Sequence, residues 1–339
     1  MTARPTTRDW LLFGLISLFW GSSYLFIKIG VQTLQPFTLI ALRLFFGVLI
    51  LSVALRLSRA PIPRDRSTYG KLLVMAVFNI VIPFSLITWG EQYIDSSLAT
   101  ILQATTPLVT IVIASMVLVD EAITVNRLVG LIIGFGGVIV LLSHGLSGGR
   151  GDSTLGELAI LGASVSYAAG NVFVRSRMRG HHPTVPAFFQ VGIALLIVSV
   201  LVLVFESPVQ LPTTSQAWFA VLWLGVFGSS LAYLIYFRLI HTMGPTRLSL
   251  ITYVMPIVGI VLGVIVLNET IDLRTLVGTA IILGGVGLVN SSRGSRRLFG
   301  RQPVTTTSAV ASAAAVPLAA APTAATATAP APAGSPRPR

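Results

Sequence analysis

The sequence predicts an all-α membrane protein of ten transmembrane helices, arranged as two inverted five-helix repeats. Three observations carry that expectation. The chain of 339 residues is 54% hydrophobic and 10% charged, with mean hydropathy +0.85, outside the range of ordinary soluble domains. Ten runs approach the roughly 20 apolar residues a spanning helix needs: 10–29, 36–55, 72–89, 97–118, 127–143, 155–174, 184–205, 217–237, 246–267 and 274–290. Finally, the second five runs repeat the pattern of the first five.

The repeat is visible in register. Ser17, Trp20, Tyr24 and Lys28 recur at helical spacing within helix 1 and share one face. Ser164, Tyr167, Asn171 and Arg175 stand 147 positions later in helix 6. Val77-Phe78-Asn79 matches Val226-Phe227-Gly228 at an offset of 149, which also carries Gln103 to Thr252 and Pro107 to Pro256. At an offset of 148, Glu121 pairs with Glu269 and Gly136-Gly137-Val138 with Gly284-Gly285-Val286. Five helices is an odd number, so the second copy enters the bilayer upside down, as in secondary transporters whose site lies at the repeat interface.

Along the chain, residues 1–9 form a short cytoplasmic lead. Arg4 and Arg8 precede helix 1 as in a signal peptide. The run is too long for a signal core, lacks a cleavage site and carries Lys28, so it reads as a retained helix. Residues 10–143 form the first repeat and 144–154 a linker loop. Lys28 lies about 27 Å along helix 1, where snorkelling to the interface is the competing explanation. Arg43 lies about 10 Å into helix 2, either snorkelling or beside a cavity. Helix 3 carries Asn79 and ends near Glu91, with Trp89 and Tyr93 suited to an interfacial belt. Helix 4 carries Gln103, Thr106 and Pro107; the proline frees a carbonyl near mid-membrane, as a static kink or a hinge. Gly130 and Gly134 in helix 5 favour close helix packing. Residues 155–290 form the second repeat; 291–339 are a basic, then Ala/Pro/Thr-rich, cytoplasmic tail expected to be disordered.

Charge sets the orientation. Of 23 Lys and Arg, nineteen fall on one side, only Arg150 and Arg274 on the other, and Lys28 and Arg43 within helices. The basic side is cytoplasmic and holds both termini. The net charge of +12 suits an anionic leaflet rather than nucleic acid. The partners expected are the lipid bilayer and a small-molecule solute; a homodimer stays open. No cofactor or metal is expected, because cysteine is absent and the adjacent His181 and His182 are poorly placed as ligands. Intramembrane proteolysis lacks a central histidine or paired aspartates. All eleven carboxylates fall at helix ends or in loops, so the expected modes are facilitated diffusion or exchange, or proton coupling through Glu91.

The runs WGSSYLFIK, LRLFFG, WGEQYIDSSLATILQATTPLVT, the Asp120-Glu121 loop and GFGGVIVLL resemble the first half of an EamA-type carrier of the drug/metabolite transporter superfamily. Val226 to Val289, with Pro256 and Glu269, resembles the second half. The resemblance implies a ten-helix cell inner membrane carrier working by alternating access, with a cavity lined mainly by helices 1, 3, 4, 6, 8 and 9. It implies export of amino acids or other small metabolites. Glu121 and Glu269 match the family's recurrent glutamates after helices 4 and 9, and their loop positions suggest a helix-end role. A multidrug efflux carrier and a non-transporting sensor or scaffold are the alternatives.

The candidate substrate-binding residues are Trp20, Ser23, Tyr24, Asn79, Gln103, Thr106, Tyr167, Asn171, Ser230, Tyr233, Thr252 and Tyr253. Aromatics supply contact area and amides and hydroxyls orient a solute, although helix–helix hydrogen bonding would explain each singly. Lys28, Arg43, Glu91, Pro107 and Pro256 are candidates for gating or coupling. With Lys28 and Arg43 read as peripheral, the stripes favour a neutral or zwitterionic solute.

Overall fold

A backbone in hydrocarbon must satisfy its own hydrogen bonds, and apolar runs of this length do so as helices. The computed structural model describes residues 5–118, 123–147, 151–177, 182–243, 245–291 and 297–299. Among these residues nine helices are long and apolar enough to cross a membrane. They are helix 1 (Thr7–Gly30), 2 (Pro36–Ser58), 3 (Arg66–Gly90), 4 (Ser96–Val117), 5 (Val125–Ser143), 6 (Asp152–Arg177), 7 (Thr184–Phe205), 8 (Ser215–Ile240) and 10 (Leu273–Asn290). Helix 9, Ile251–Leu267, is shorter and equally apolar. One short antiparallel pairing, Ile123 with Phe299 and Thr124 with Arg297, is the non-helical exception. The helices belong to one unit, Met1–Arg301; the tail beyond it and the Asp120-Glu121 loop lie outside the described residues.

Local chemistry moves several helix ends. Helix 3 begins six residues earlier than expected because Asp65 accepts a hydrogen bond from the Thr68 N–H at 2.8 Å. Helix 2 runs on to Ser58, and Arg59 ends it in the left-handed region at φ 49°. Helix 9 starts later than expected because Pro245–Leu248 forms a separate turn.

Pairing between helices obeys the inverted repeat. Under the exchange of 1 with 6, 2 with 7, 3 with 8, 4 with 9 and 5 with 10, the packed pairs 1–9 and 6–4 are mates. So are 3–6 and 8–1, and 2–8 and 7–3, while 2–7, 4–9 and 5–10 map onto themselves. The principal contacts therefore run between the halves, which interleave. Helices 5 and 10 meet through glycine: a Cβ on Gly285 would stand 2.5 Å from the Gly134 N and 2.7 Å from the Gly130 O. The outer surface carries exposed Val53, Ile132, Ile139, Leu196, Leu203 and Ile265, which water would not tolerate in such density and lipid does.

Candidate functional site

The interior of the bundle departs from regular helix at the places the repeat marks. Helix 3 passes through a π-helical segment at Val77–Val81 and helix 8 through another at Leu224–Leu231. These contain the matched motifs VFNIV and VFGSS. A π turn breaks the regular hydrogen-bond ladder and leaves carbonyls for other donors, and such turns concentrate at functional sites. Here the donors come from the other half: Trp20 Nε1 of helix 1 donates to the Gly228 O at 3.3 Å, and Ser166 Oγ of helix 6 to the Phe78 O at 2.8 Å.

Helix 4 is interrupted at Ala104–Thr105, and Pro107 lies in the first turn of its second piece. Proline has no N–H for the carbonyl four residues back, which is that of Gln103. Thr106 Oγ1 takes that carbonyl at 2.8 Å, and Gln103 Nε2 donates to Thr106 Oγ1 at 2.7 Å. Gln103 Oε1 is left buried without a partner among the described residues. Pro256, by contrast, is buried within an unbroken helix 9.

Most of the expected residues converge on helices 1, 3, 6 and 8. The Trp20 ring packs against Tyr233 at 6.0 Å and Tyr236 at 5.5 Å between centroids. Ser23 and Tyr24 are buried on the same helix, and Tyr167 packs against the cores on both sides of it. Asn79 Oδ1 is buried, without a partner among the described residues, and pressed on Gly170, where a Cβ would approach it to 1.9 Å. Ser230 Oγ returns to its own π segment, donating to the Gly225 O at 3.1 Å and to the Val226 O.

Three expected residues stand apart. Asn171 is exposed on helix 6, although Ser164, seven residues earlier on the same face, is buried. Thr252 Oγ1 donates to the Ser249 O of its own chain segment. Tyr253 OH accepts from Asn290 Nδ2 at 3.2 Å, which ties helix 9 to helix 10.

The charged residues require one correction. Lys28 donates from Nζ to the Glu91 O at 2.7 Å and the Ile94 O at 2.6 Å, so it caps the C-terminal end of helix 3, where a cation is favoured. Arg43 is not peripheral: it is 3% exposed, and its neighbours come from other helices. Its Nε donates to Ser229 Oγ of helix 8 at 3.1 Å, and its guanidinium lies 4.1 Å from the centroid of the Phe84 ring of helix 3. Spacing gave its depth but could not give these partners; the matched motifs on helices 3 and 8 were the available signal.

At the end of the bundle where helix 3 stops and helix 4 starts, two glutamates act as caps across the molecule. Glu269 accepts from the N–H and Oγ of both Ser96 and Ser97 at the start of helix 4. Glu206 accepts from the Phe37 and Thr38 N–H and from Thr38 Oγ1 at the start of helix 2. Each satisfies orphan donors of a helix N-terminus from a different repeat. Glu91 differs: it is fully buried, and neither carboxyl oxygen has a hydrogen-bond partner among the described residues. Two cavities open at this end. One of about 750 Å³ is lined by Asp95, Asp152, Glu157, Asp272 and Arg274 among others; one of about 450 Å³ lies between Pro36, Trp89 and Glu206. The residues of the central cluster line neither.

Known proteins share this arrangement. The model of the EamA-like transporter family matches residues 9–143 and again 154–291. The uncharacterized inner membrane transporter YedA of Escherichia coli K12 is 30% identical over 310 residues, covering 86% of this chain and 94% of its own length. The uncharacterized transporter YvbV of Bacillus subtilis is 29% identical, covering 86% of this chain and 94% of its own. A solved crystal structure superposes with a TM-score of 0.62 at 20% identity, over 87% of this chain and all of that one, and speaks for the fold alone. Two family matches, one on each five-helix half, join the interleaved helices and paired π segments: this multi-pass membrane protein belongs to the EamA-like transporter family.

Proposed function

We propose that the protein is a secondary transporter that exports a small metabolite across the bacterial inner membrane by alternating access. Amino acids and related neutral or zwitterionic solutes are the proposed class. The observation that carries the reading is the central cluster of Trp20, Ser23, Tyr24, Asn79, Tyr167 and Tyr233, gathered from both repeats beside two π segments. Buried amide oxygens without partners, at Asn79 and Gln103, are expensive in a static scaffold and useful to a protein whose interior takes up a polar guest. The broken helix 4 and the π segments are places where one half can rock against the other.

The test is a flux panel in proteoliposomes covering amino acids, nucleosides and amphipathic cations, with wild type beside Asn79→Leu and Gln103→Leu. Saturable flux of one solute, lost in both variants at normal insertion, supports the carrier. Ligand-dependent changes with no flux of any solute would move the reading to a sensor.

Coupling is part of the same proposal. Glu91, buried between Lys28 and the capped start of helix 4, is the proposed proton carrier. Flux driven by a pH gradient should vanish in Glu91→Gln; gradient-driven flux that survives the substitution refutes this role. Both termini are proposed to be cytoplasmic, with Arg150 and Arg274 outside. The chain has no cysteine, so single cysteines introduced at Ser153 and Ser58 give clean accessibility tests from either side.

A further inference from the structure

Arg43 is a guanidinium held within the bundle with most of its donors unused. Arginine carries five N–H donors in a planar fork. Among the described residues only Nε is engaged, by Ser229 Oγ at 3.1 Å. The four N–H of the two Nη groups have no protein acceptor there, and no described carboxylate forms an ion pair with this residue. The side chain is 3% exposed. Leaving a buried cation without a directly paired carboxylate is costly.

The surroundings orient the fork, and the buried Glu91 carboxylate acts on it only from a distance, with no hydrogen bond or ion pair to it among the described residues. Phe84 lies against the guanidinium at 4.1 Å, and Ser229 fixes Nε. Gly228, next to Ser229, leaves room beside Nη2: a Cβ there would stand 3.4 Å from Nη2 and 3.0 Å from Ser23 Oγ. The Gly228 carbonyl is already taken by Trp20. The unengaged side of the guanidinium thus shares this spot with Trp20 and Ser23, on the seam between the repeats. A planar fork with two free amino groups matches a carboxylate in bidentate geometry.

We propose that Arg43 binds the carboxylate of the transported solute, so that the substrate class is organic acids with a single carboxylate, amino acids among them. This rests on the carrier reading above and narrows it. A zwitterionic amino acid satisfies both; a neutral nucleoside or an amphipathic cation does not. The guest supplies a counter-charge in direct contact, and a guanidinium already held by Phe84 and Ser229 loses little freedom when it arrives.

The experiment uses full-length protein in nanodiscs. The probes are benzoate, phenylacetate, L-leucine and L-phenylalanine, each beside its uncharged or cationic amide. Binding is read from the shift of the unfolding midpoint and from tryptophan fluorescence. At least one carboxylate should bind, and its amide should bind about thirtyfold more weakly or worse. Arg43→Gln should lose the preference, and Arg43→Lys should keep a weakened form of it. Gly228→Ala keeps the charge while crowding Nη2 and Ser23 Oγ, and should weaken the carboxylate more than its amide; it decides the matter if Arg43→Gln does not fold. An amide that binds as well as its acid, carboxylate binding unchanged in Arg43→Gln or Gly228→Ala, or no carboxylate binding at all would overturn the proposal. Flux of the same probes separates the two readings. Carboxylate binding without flux keeps the Arg43 site and sinks the carrier. Saturable flux of neutral or cationic solutes alone keeps the carrier and sinks the Arg43 site.

Discussion

Two seams join the repeats, and they are built from opposite materials. The seam between helices 5 and 10 is glycine against glycine, closed to the point where one added carbon would meet backbone. The seam through helices 1, 2, 3, 6 and 8 is aromatic and polar, with two π segments and several polar atoms unpaired among the described residues. In lipid no hydrophobic force drives helices together, so a holding contact needs close backbone approach and small residues. A seam that must open and accept a solute needs the reverse. The first seam suits a fixed hinge wall, and the second the moving interior.

The contrast can be broken most forcefully at the glycines. Gly285→Leu places a side chain against the Gly134 N and Gly130 O. Overpacking against backbone should cost about 3 kcal/mol or more and abolish monodisperse folded protein on size-exclusion chromatography. Gly284→Leu, whose Cβ meets nothing within 4 Å, should leave the elution profile unchanged. If both behave alike, the seam is not a close-packed wall.

The caps come next. Glu269→Gln should destabilise by about 2–3 kcal/mol in denaturant titration, because four donors on Ser96 and Ser97 lose a charged acceptor. Glu206→Gln should follow with a similar loss at the start of helix 2. The two losses should add, since they act on separate helices.

Gln103→Leu sharpens the comparison from the other side. It removes one hydrogen bond to Thr106 but also a buried, unpartnered oxygen, so stability should stay within about 1 kcal/mol of wild type. Flux should fall at least about tenfold if this amide contacts the solute, a loss near 1.4 kcal/mol in transition-state terms. Unchanged flux would make Gln103 a helix-break residue only.

The smallest effect is a pH slope. Burial, with the nearby Glu269 carboxylate adding to it and Lys28 opposing, holds the Asp95 carboxyl above the usual carboxylate range. The folded protein therefore binds this proton more tightly than the unfolded chain. That contribution is complete below a pH of about 4 and is lost as pH rises through the raised value. Stability should decline slightly over that window, and Asp95→Asn should flatten the decline. A steeper slope in the variant would contradict the assignment.

What the sequence determined by itself was whatever depends on periodicity and copy number. Runs of apolar residues sufficed for ten helices, because each helix satisfies its own backbone regardless of its neighbours. Offsets of 147 to 149 sufficed for the duplication, and the position of Glu269 at a helix end foretold its role as a cap. Tertiary structure alone decided which side chains meet. Spacing places Tyr24, Asn171 and Arg43 on helices but cannot say what stands opposite, since facing residues are set by other helices, distant in sequence. So Asn171, placed by spacing on one face with Ser164 and Tyr167, is exposed, and Tyr253 bonds Asn290. Arg43, equally compatible with snorkelling, proved to be held between Phe84 and Ser229. Depth along an axis is a property of one helix; burial is a property of the neighbours that close over it.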